Sequence, residues 1–170
     1  MAVTTQEGTE YTGIYTTKPA VLVPTSTWHG RIRGAYVSHV QSGAGDATSS
    51  AALVKLPPGT VRFLMPMSWL YVNWTTGSAT LDLGWDAYTD LDGNAVAADV
   101  DGLIDGINVA TAGVFGFEEL TASAGTGAPA TTGYTKVFSS KDGVTIRVSS
   151  TDVAIADTDA LYGLLAYMVD

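Results

Sequence analysis

The chain lacks several features on which common protein classes depend. It contains no cysteine, which excludes disulfide frameworks, thiolate metal sites and cysteine nucleophiles. Basic residues are few, and 8 of them stand against 17 acidic ones, which gives a net charge of -9 at pH 7. Because an acidic surface is repelled by phosphate backbones, we expect no nucleic-acid partner. With 170 residues, of which 46% are hydrophobic, the chain is expected to form one domain.

No segment has the pattern of a targeting or membrane signal. The first residues carry neither the basic region nor the apolar region of a signal peptide, so we expect no cleaved leader. The longest uncharged run, residues 63–81, is interrupted by proline, glycine, asparagine and hydroxyl residues. Since their polar groups would be unsatisfied in lipid, we expect sheet there and no membrane partner.

The residue pattern predicts an all-β fold. Valine, threonine, tyrosine and tryptophan are concentrated in short segments that glycine, proline and aspartate clusters separate, and sustained helical periodicity is absent. The predicted strands are residues 11–17, 31–41, 51–56, 61–65, 68–74, 79–88, 133–138, 144–149 and 161–169. Many short strands of this kind favour an antiparallel β-sandwich or barrel. For residues 95–112 we expect a short helix around 100–104 or irregular structure.

Two of the predicted strands indicate which faces are buried. In residues 144–149, Val144, Ile146 and Val148 share one face while polar residues share the other, so this strand is predicted to be half-buried. In residues 69–74 both faces are apolar or aromatic. That pattern predicts either a central strand of a sandwich or a strand covered by a neighbouring subunit.

The first 30 residues differ in composition from the rest. They are rich in threonine, contain Pro19 and Pro24, and carry few large apolar groups. Such a segment forms at most one strand and either frays or docks on a partner. We therefore predict an extended N-terminal arm over residues 1–30 and a single β-sandwich domain over residues 31–170.

Large aromatic residues and alternating arginines are candidates for subunit contacts. An aromatic side chain buries on the order of 150–250 Å², so it is commonly found in a core or an interface; a sugar-stacking platform is the alternative. Arginines on one strand face can pair with the carboxylates of a partner. The candidate interface residues are Trp28, Arg31, Arg33, Trp69, Tyr71 and Trp74.

Aspartate is unusually frequent in the middle of the chain. Seven aspartates lie within residues 82–105, and no lysine or arginine occurs between Arg62 and Lys136. Residues 90–94 and 99–105 each place carboxylates at alternate positions beside a glycine, as calcium loops do, but neither segment completes the twelve-residue pattern with its final glutamate. We favour Asp-Gly turns on a solvated face and expect no cofactor, with calcium as the alternative. The candidate calcium ligands are Asp90, Asp92, Asp99, Asp101 and Asp105.

The sequence contains no recognisable catalytic arrangement, and we expect no enzyme. The two histidines, His29 and His39, form no zinc-type pair. A GxSxG nucleophile elbow, a phosphate-binding loop and a GxGxxG motif following a strand are all absent. Carboxylates for glycoside hydrolysis are available, but no spacing selects two of them.

Three motifs carry a resemblance to a known class of protein. They are Leu56-Pro-Pro-Gly-Thr-Val-Arg-Phe-Leu64, Leu81-Asp-Leu-Gly-Trp-Asp-Ala-Tyr-Thr-Asp-Leu-Asp-Gly93 and the ending Leu161-Tyr-Gly-Leu-Leu-Ala-Tyr-Met-Val-Asp170. In order, they give a proline-glycine turn before an aromatic strand, a Leu-Asp-Leu-Gly strand with an Asp-Gly turn, and a tyrosine-rich final strand. This order resembles that of small virion structural proteins of tailed bacteriophages. The resemblance spans residues 51–120 and the C-terminus.

The resemblance implies both a fold and a role. The fold is a jelly-roll-like β-sandwich, and the role is that of a decoration or cement protein that binds the major capsid protein and stabilises the head shell. It further implies a homo-oligomer, with a trimer favoured, on the capsid exterior after assembly in the host cytoplasm. The class contributes no catalytic residue. The alternatives are a carbohydrate-binding module with calcium-supported acidic loops and a tail or connector subunit.

Overall fold

The computed structural model describes residues 4–8, 11–19, 32–117, 135–150 and 153–169. Within these residues the chain forms thirteen β-strands, a π-helical turn at Thr12–Thr16 and a 3-10 turn at Met65–Met67. The predicted all-β fold is therefore confirmed. No helix in the described part of the chain is long and apolar enough to cross a membrane.

The strands form two main sheets and one small hairpin. They are β1 Thr5–Glu7, β2 Ile32–Val40, β3 Ser50–Leu56, β4 Gly59–Leu64, β5 Trp69–Asn73, β6 Thr80–Trp85, β7 Tyr88–Thr89, β8 Ala95–Val96, β9 Asp99–Asn108, β10 Gly113–Gly116, β11 Thr135–Ser140, β12 Val144–Ser149 and β13 Ala160–Val169. Sheet A has the order β1-β3-β12-β6-β9, and β7 pairs with β8. In sheet B, β13 pairs with β2 along one side and with β5 and then β4 along the other. Beyond these, β10 pairs with β5 and β11 pairs with β4.

One apolar core lies between the sheets. In β12, Val144, Ile146 and Val148 are buried, as the alternation predicts. On the opposing sheet, β13 contributes Leu161 and Leu165, which belong to the same cluster of buried side chains. Because alternate residues of a strand point to opposite sides, each sheet has a second face directed away from this core.

Two local predictions from the sequence are wrong. Residues 100–104 form part of β9 and not a helix. The register of β9 against β6 shifts twice, so that the adjacent residues Leu103 and Ile104 are both buried and the alternation is hidden. Residues 11–17, predicted as a strand, contain the π-helical turn instead.

The described N-terminal residues lie along sheet A. β1 pairs in parallel with β3, and the Gly8 N–H donates a hydrogen bond to the Ala52 carbonyl. The Tyr15 hydroxyl donates to the Lys55 carbonyl at 3.2 Å. This part of the predicted arm thus packs on the sandwich itself. Residues 20–31, including the predicted boundary after residue 30, lie outside the described residues.

The side of sheet A that points away from the core carries an ion pair. The Arg147 guanidinium donates to both carboxylate oxygens of Asp86, at 2.6 and 2.9 Å, and to the Ser50 hydroxyl at 3.3 Å. The hydrogen bonds that Arg147 donates to this carboxylate raise the pKa of Arg147 above its usual value. Bidentate pairing of this kind is geometrically specific, so it fixes the loop after β6 against β12.

Two adjacent leucines of β13 test the assignment of faces. Leu165 is fully buried, whereas Leu164 is only half-buried on the other side of the strand. We expect Leu165→Ala to lower the free energy of unfolding by about 2–5 kcal/mol, because it leaves a cavity in the core. Leu164→Ala should lower it by about 1 kcal/mol or less, since the side chain is partly in water already. Urea denaturation of both variants measures the difference, and equal losses would contradict the assignment.

Candidate interaction face

The outward side of sheet B carries large apolar side chains on most of its strands. β13 turns Leu161 and Leu165 into the core, so Tyr162 and Leu164 point away from it. Paired residues of antiparallel strands point to the same side of a sheet, and the register therefore extends this surface over the neighbouring strands. We call it the outer face. Its apolar side chains are Ile32, Tyr36, Val40, Trp69, Tyr71, Val114, Val137, Tyr162, Leu164 and Met168.

A row of large side chains crosses the middle of the outer face. Leu164 of β13 is paired with Tyr36 of β2 on one side and with Trp69 of β5 on the other. A Cβ atom placed at Gly34 would lie 2.8 Å from the Leu164 side chain. The glycine therefore allows Leu164 to lie over β2, which closes the surface between the two strands.

A second row contains a stacked tyrosine pair. Tyr162 of β13 is paired with Tyr71 of β5, which is paired with Val114 of β10. The two tyrosine rings lie 4.8 Å apart between centroids, with 26° between their planes. Tyr162 keeps 50% of its surface exposed and Val114 keeps 61%. The two tyrosine rings therefore pack against each other, while Tyr162 and Val114 still expose a large apolar area to solvent.

Exposed apolar residues are concentrated on the outer face. Of the ten large hydrophobic side chains that are exposed in the described part of the chain, six belong to it. At the outward positions of the described strands of sheet B, Arg62 is the one charged residue, and no aspartate or glutamate occurs. A contiguous apolar surface on a folded chain marks a site of interaction with another molecule.

The structure separates the candidate interface residues. Trp69 and Tyr71 lie on the outer face, whereas Trp74 is in the core with 3% of its surface exposed. Arg33 is on the opposite side of β2 from the outer face and hydrogen-bonds Tyr167. The remaining two lie outside the described residues: Trp28 and Arg31.

The most exposed members of the outer face are absent from the sequence-based candidates. Tyr162 lies in a strand whose two faces are both apolar, the same pattern that pointed to Trp69 and Tyr71. Applying that criterion to residues 161–169 would have found it. No sequence pattern pointed to Val114 as an interface residue, because β10 lies in a segment for which the sequence predicts no strand.

Asp90 and Asp92 lie at the turn between β7 and β8. The Asp90 carboxylate accepts hydrogen bonds from the Asn94 backbone N–H at 2.7 Å and from its side-chain amide at 3.0 Å. These bonds lower the pKa of Asp90 below its usual value. The carboxylate thus stabilises the turn, which is a common role of aspartate before Asp-Gly.

The other three candidate calcium ligands, Asp99, Asp101 and Asp105, lie in β9. Burial raises the pKa of Asp99, and a hydrogen bond with the Asp101 side chain raises it further. Asp105 is exposed and lies further along the strand. No group of three or more potential metal-ligating side chains occurs within the described residues.

Comparison with known proteins bears on the fold. No protein-family model and no curated protein matches the chain. The fold is similar to that of a chain in the capsid of Ralstonia phage GP4, with a TM-score of 0.60 and 18% identity over 88% of this chain and 92% of that one. It is also similar to a chain in the capsid asymmetric unit of cyanophage Pam1, with a TM-score of 0.50 and 15% identity over 92% of this chain and 100% of that one. At the level of fold, the resemblance to phage virion proteins is confirmed.

The pKa values of two aspartates are expected to be shifted in opposite directions from the ordinary value. Carboxyl-carbon NMR should give Asp99 a pKa above the ordinary aspartate value and Asp90 a pKa below it. Asp101→Asn should lower the pKa of Asp99, because the neighbouring charge is removed. A pKa raised by folding means that the contribution of Asp99 to stability decreases as the pH rises from the ordinary value to the raised one. An Asp99 pKa at or below the ordinary value would contradict this geometry.

Proposed function

We propose that the chain is a virion structural protein of a tailed phage that decorates the head shell by binding the major capsid protein. The match of the whole sandwich to chains of two phage capsids carries the proposal. The alignments cover 92% and 100% of those chains, so the similarity joins chains of nearly the same length. It is not a likeness between this chain and one domain of a much larger protein.

The outer face supports this role independently of the comparisons. A shared fold by itself does not determine a function, which depends on the surface that the fold presents. Here that surface is a sheet face with exposed Tyr36, Tyr162 and Val114, and the outward positions of its described strands carry no carboxylate. Such a face is suited to a protein that works by packing against other proteins.

An accessory role fits the chain better than that of the major shell protein. The shell protein of tailed phages has a mixed α/β fold with long helices and a longer chain. Here the described residues contain no helix longer than five residues. The proposed role requires neither catalysis nor a cofactor.

The tryptophans argue against the carbohydrate-binding alternative. Sugar rings stack on exposed aromatic faces. Among the described residues, Trp74 and Trp85 are buried, and Trp69 is half-buried within the row of the outer face. A tail or connector subunit would share the fold of a decoration protein and differ from it in copy number.

We expect the chain to be a major component of purified virions of the phage that encodes it. Quantitative mass spectrometry should find it in a copy number comparable with that of the major capsid protein, because a decoration protein binds every repeating unit of the shell. A small fixed copy number would assign the chain to the tail or connector instead. Absence from the particles would contradict a virion role altogether.

Particles that lack the protein provide the control. Virions from a phage with the gene deleted should release their DNA at a lower temperature than wild-type virions do. Addition of the purified protein should restore the release temperature, because the shell sites are vacant and accessible. Unchanged release temperatures in both experiments would contradict a stabilising role, whatever the copy number.

A further inference from the structure

We propose that residues 4–8 form a strap that closes one side of the sandwich, and that protonation of the buried His39 next to the strap opens it. This side lies between β3 of sheet A and β2 of sheet B. The strap consists of β1 and the residue on either side of it. The inference concerns the free protein and does not depend on the proposed function.

Gly8 places the strap against both sheets. Its N–H donates to the Ala52 carbonyl of β3, with which β1 pairs in parallel. A Cβ atom placed at Gly8 would lie 2.9 Å from that carbonyl oxygen and 3.2 Å from the carbonyl oxygen of Ser38 in β2. Because a side chain would be crowded by both backbones, glycine allows the strap to lie in the gap between the two strands.

Polar hydrogen bonds attach the strap. The Thr4 N–H and hydroxyl both donate to the Ser49 hydroxyl at 3.2 Å. The Gln6 side-chain amide donates to the Ser42 carbonyl at 2.9 Å and accepts from the Ser42 N–H at 3.3 Å. None of the side chains of residues 4–8 is apolar. Since the strap buries no apolar side chain, we expect it to open at a lower free energy than the strands of the core.

His39 is buried where β2 meets the strap, with 5% of its surface exposed. Its ring hydrogen-bonds the backbone carbonyl of Glu7, and its Nε2 lies 3.5 Å from Oε1 of Gln41. Gln41 in turn donates from its Nε2 to the Thr4 hydroxyl at 3.1 Å. The imidazole is thus connected to the strap directly through Glu7 and indirectly through Gln41. When the strap opens, the imidazole loses the Glu7 carbonyl and becomes accessible to water.

The closed strap provides no counter-charge for a protonated imidazole. The carboxylates on the elements around His39 accept hydrogen bonds from other groups: they are Glu7, bonded by Thr12 and Thr16, Asp46, bonded by Ala47, Asp157, bonded by Gly43, and Asp159, bonded by Thr75 and Ala156. Arg33 and Lys55, the cations of β2 and β3, add repulsion and not compensation. Tyr162 and Tyr167 of β13 are uncharged near neutral pH. A charge on His39 is therefore buried without a partner of opposite sign.

The pKa of His39 determines the direction of the response. Burial lowers this pKa below its ordinary value, against the opposing effect of the hydrogen bonds with Gln41 and the Glu7 carbonyl. With the strap open the imidazole is hydrated, and its pKa returns to the ordinary value. The closed strap is therefore fully stable above the ordinary pKa, and its stability decreases as the pH falls from that value towards the lowered one.

Hydrogen exchange of the full-length protein, measured at about pH 7.5 and about pH 5, tests the proposal. Rates are compared as protection factors, which remove the intrinsic pH dependence of exchange. We expect the protection of the Gly8 amide to fall by at least about threefold at the lower pH, because a pKa difference of one unit corresponds to a tenfold change in the opening equilibrium. The amides of β12 report on global unfolding and should keep their protection.

Two histidine variants identify the group that responds. His39→Gln removes the proton-binding group and keeps an amide donor for the Glu7 carbonyl. The protection of Gly8 in this variant should be the same at both pH values. His29→Gln is the matched control, because His29 is the other histidine of the chain. The control should respond to pH as wild type does.

Three results would overturn the proposal. They are equal protection of Gly8 at the two pH values in wild type, a pH response that persists in His39→Gln, and a loss of protection in β12 as large as that in the strap. If His39→Gln fails to fold, NMR titration of the wild-type imidazole provides the test. A His39 pKa at or above the ordinary value would then contradict the proposal.

Discussion

The pairing of β13 with three other strands is the constraint on which the rest of sheet B depends. β2 lies along one side of β13, and β5 and β4 follow each other along the other side. Alternation alone cannot fix this register, because both faces of β13 are apolar. Gly163 supplies the missing specificity: a Cβ atom there would collide with the Trp69 carbonyl. With this register set, Leu165 enters the core and Tyr162 must point outward.

The two sheets consequently differ on their outer sides. Sheet A presents the ion pair of Arg147 with Asp86, and N-terminal residues pack beside it. Sheet B presents a broad surface with a single arginine at its outward described positions. The aspartates of the middle of the chain lie instead in β6 and the loop after it, in the turn between β7 and β8, and in β9. Charge and apolar area are thus segregated, which permits association through one face while the remainder of the surface stays charged.

Much of the fold is predictable from the sequence where the alternation is regular, as in β12 with Val144, Ile146 and Val148. β9 could not be predicted, since its shifted register buries the adjacent Leu103 and Ile104 and breaks the period of two.

For the interaction face, the sequence identifies Trp69 and Tyr71 but places Trp74 with them. Position parity explains the error: residues 69 and 71 share one face of β5, and residue 74 follows the inward set of Leu70 and Val72. Alternation also cannot distinguish a face that packs on the other sheet from one that packs on another molecule. That distinction requires the pairing of distant strands, which no local pattern contains.

A cryo-electron microscopy reconstruction of the virion tests most directly whether this sandwich is a capsid component that acts through its outer face. The expected result is density for the sandwich on the outside of the head shell, with Tyr162 and the rest of the outer face buried against another protein of the shell. A shell without this density, or sandwiches whose B sheets face solvent, would contradict that conclusion.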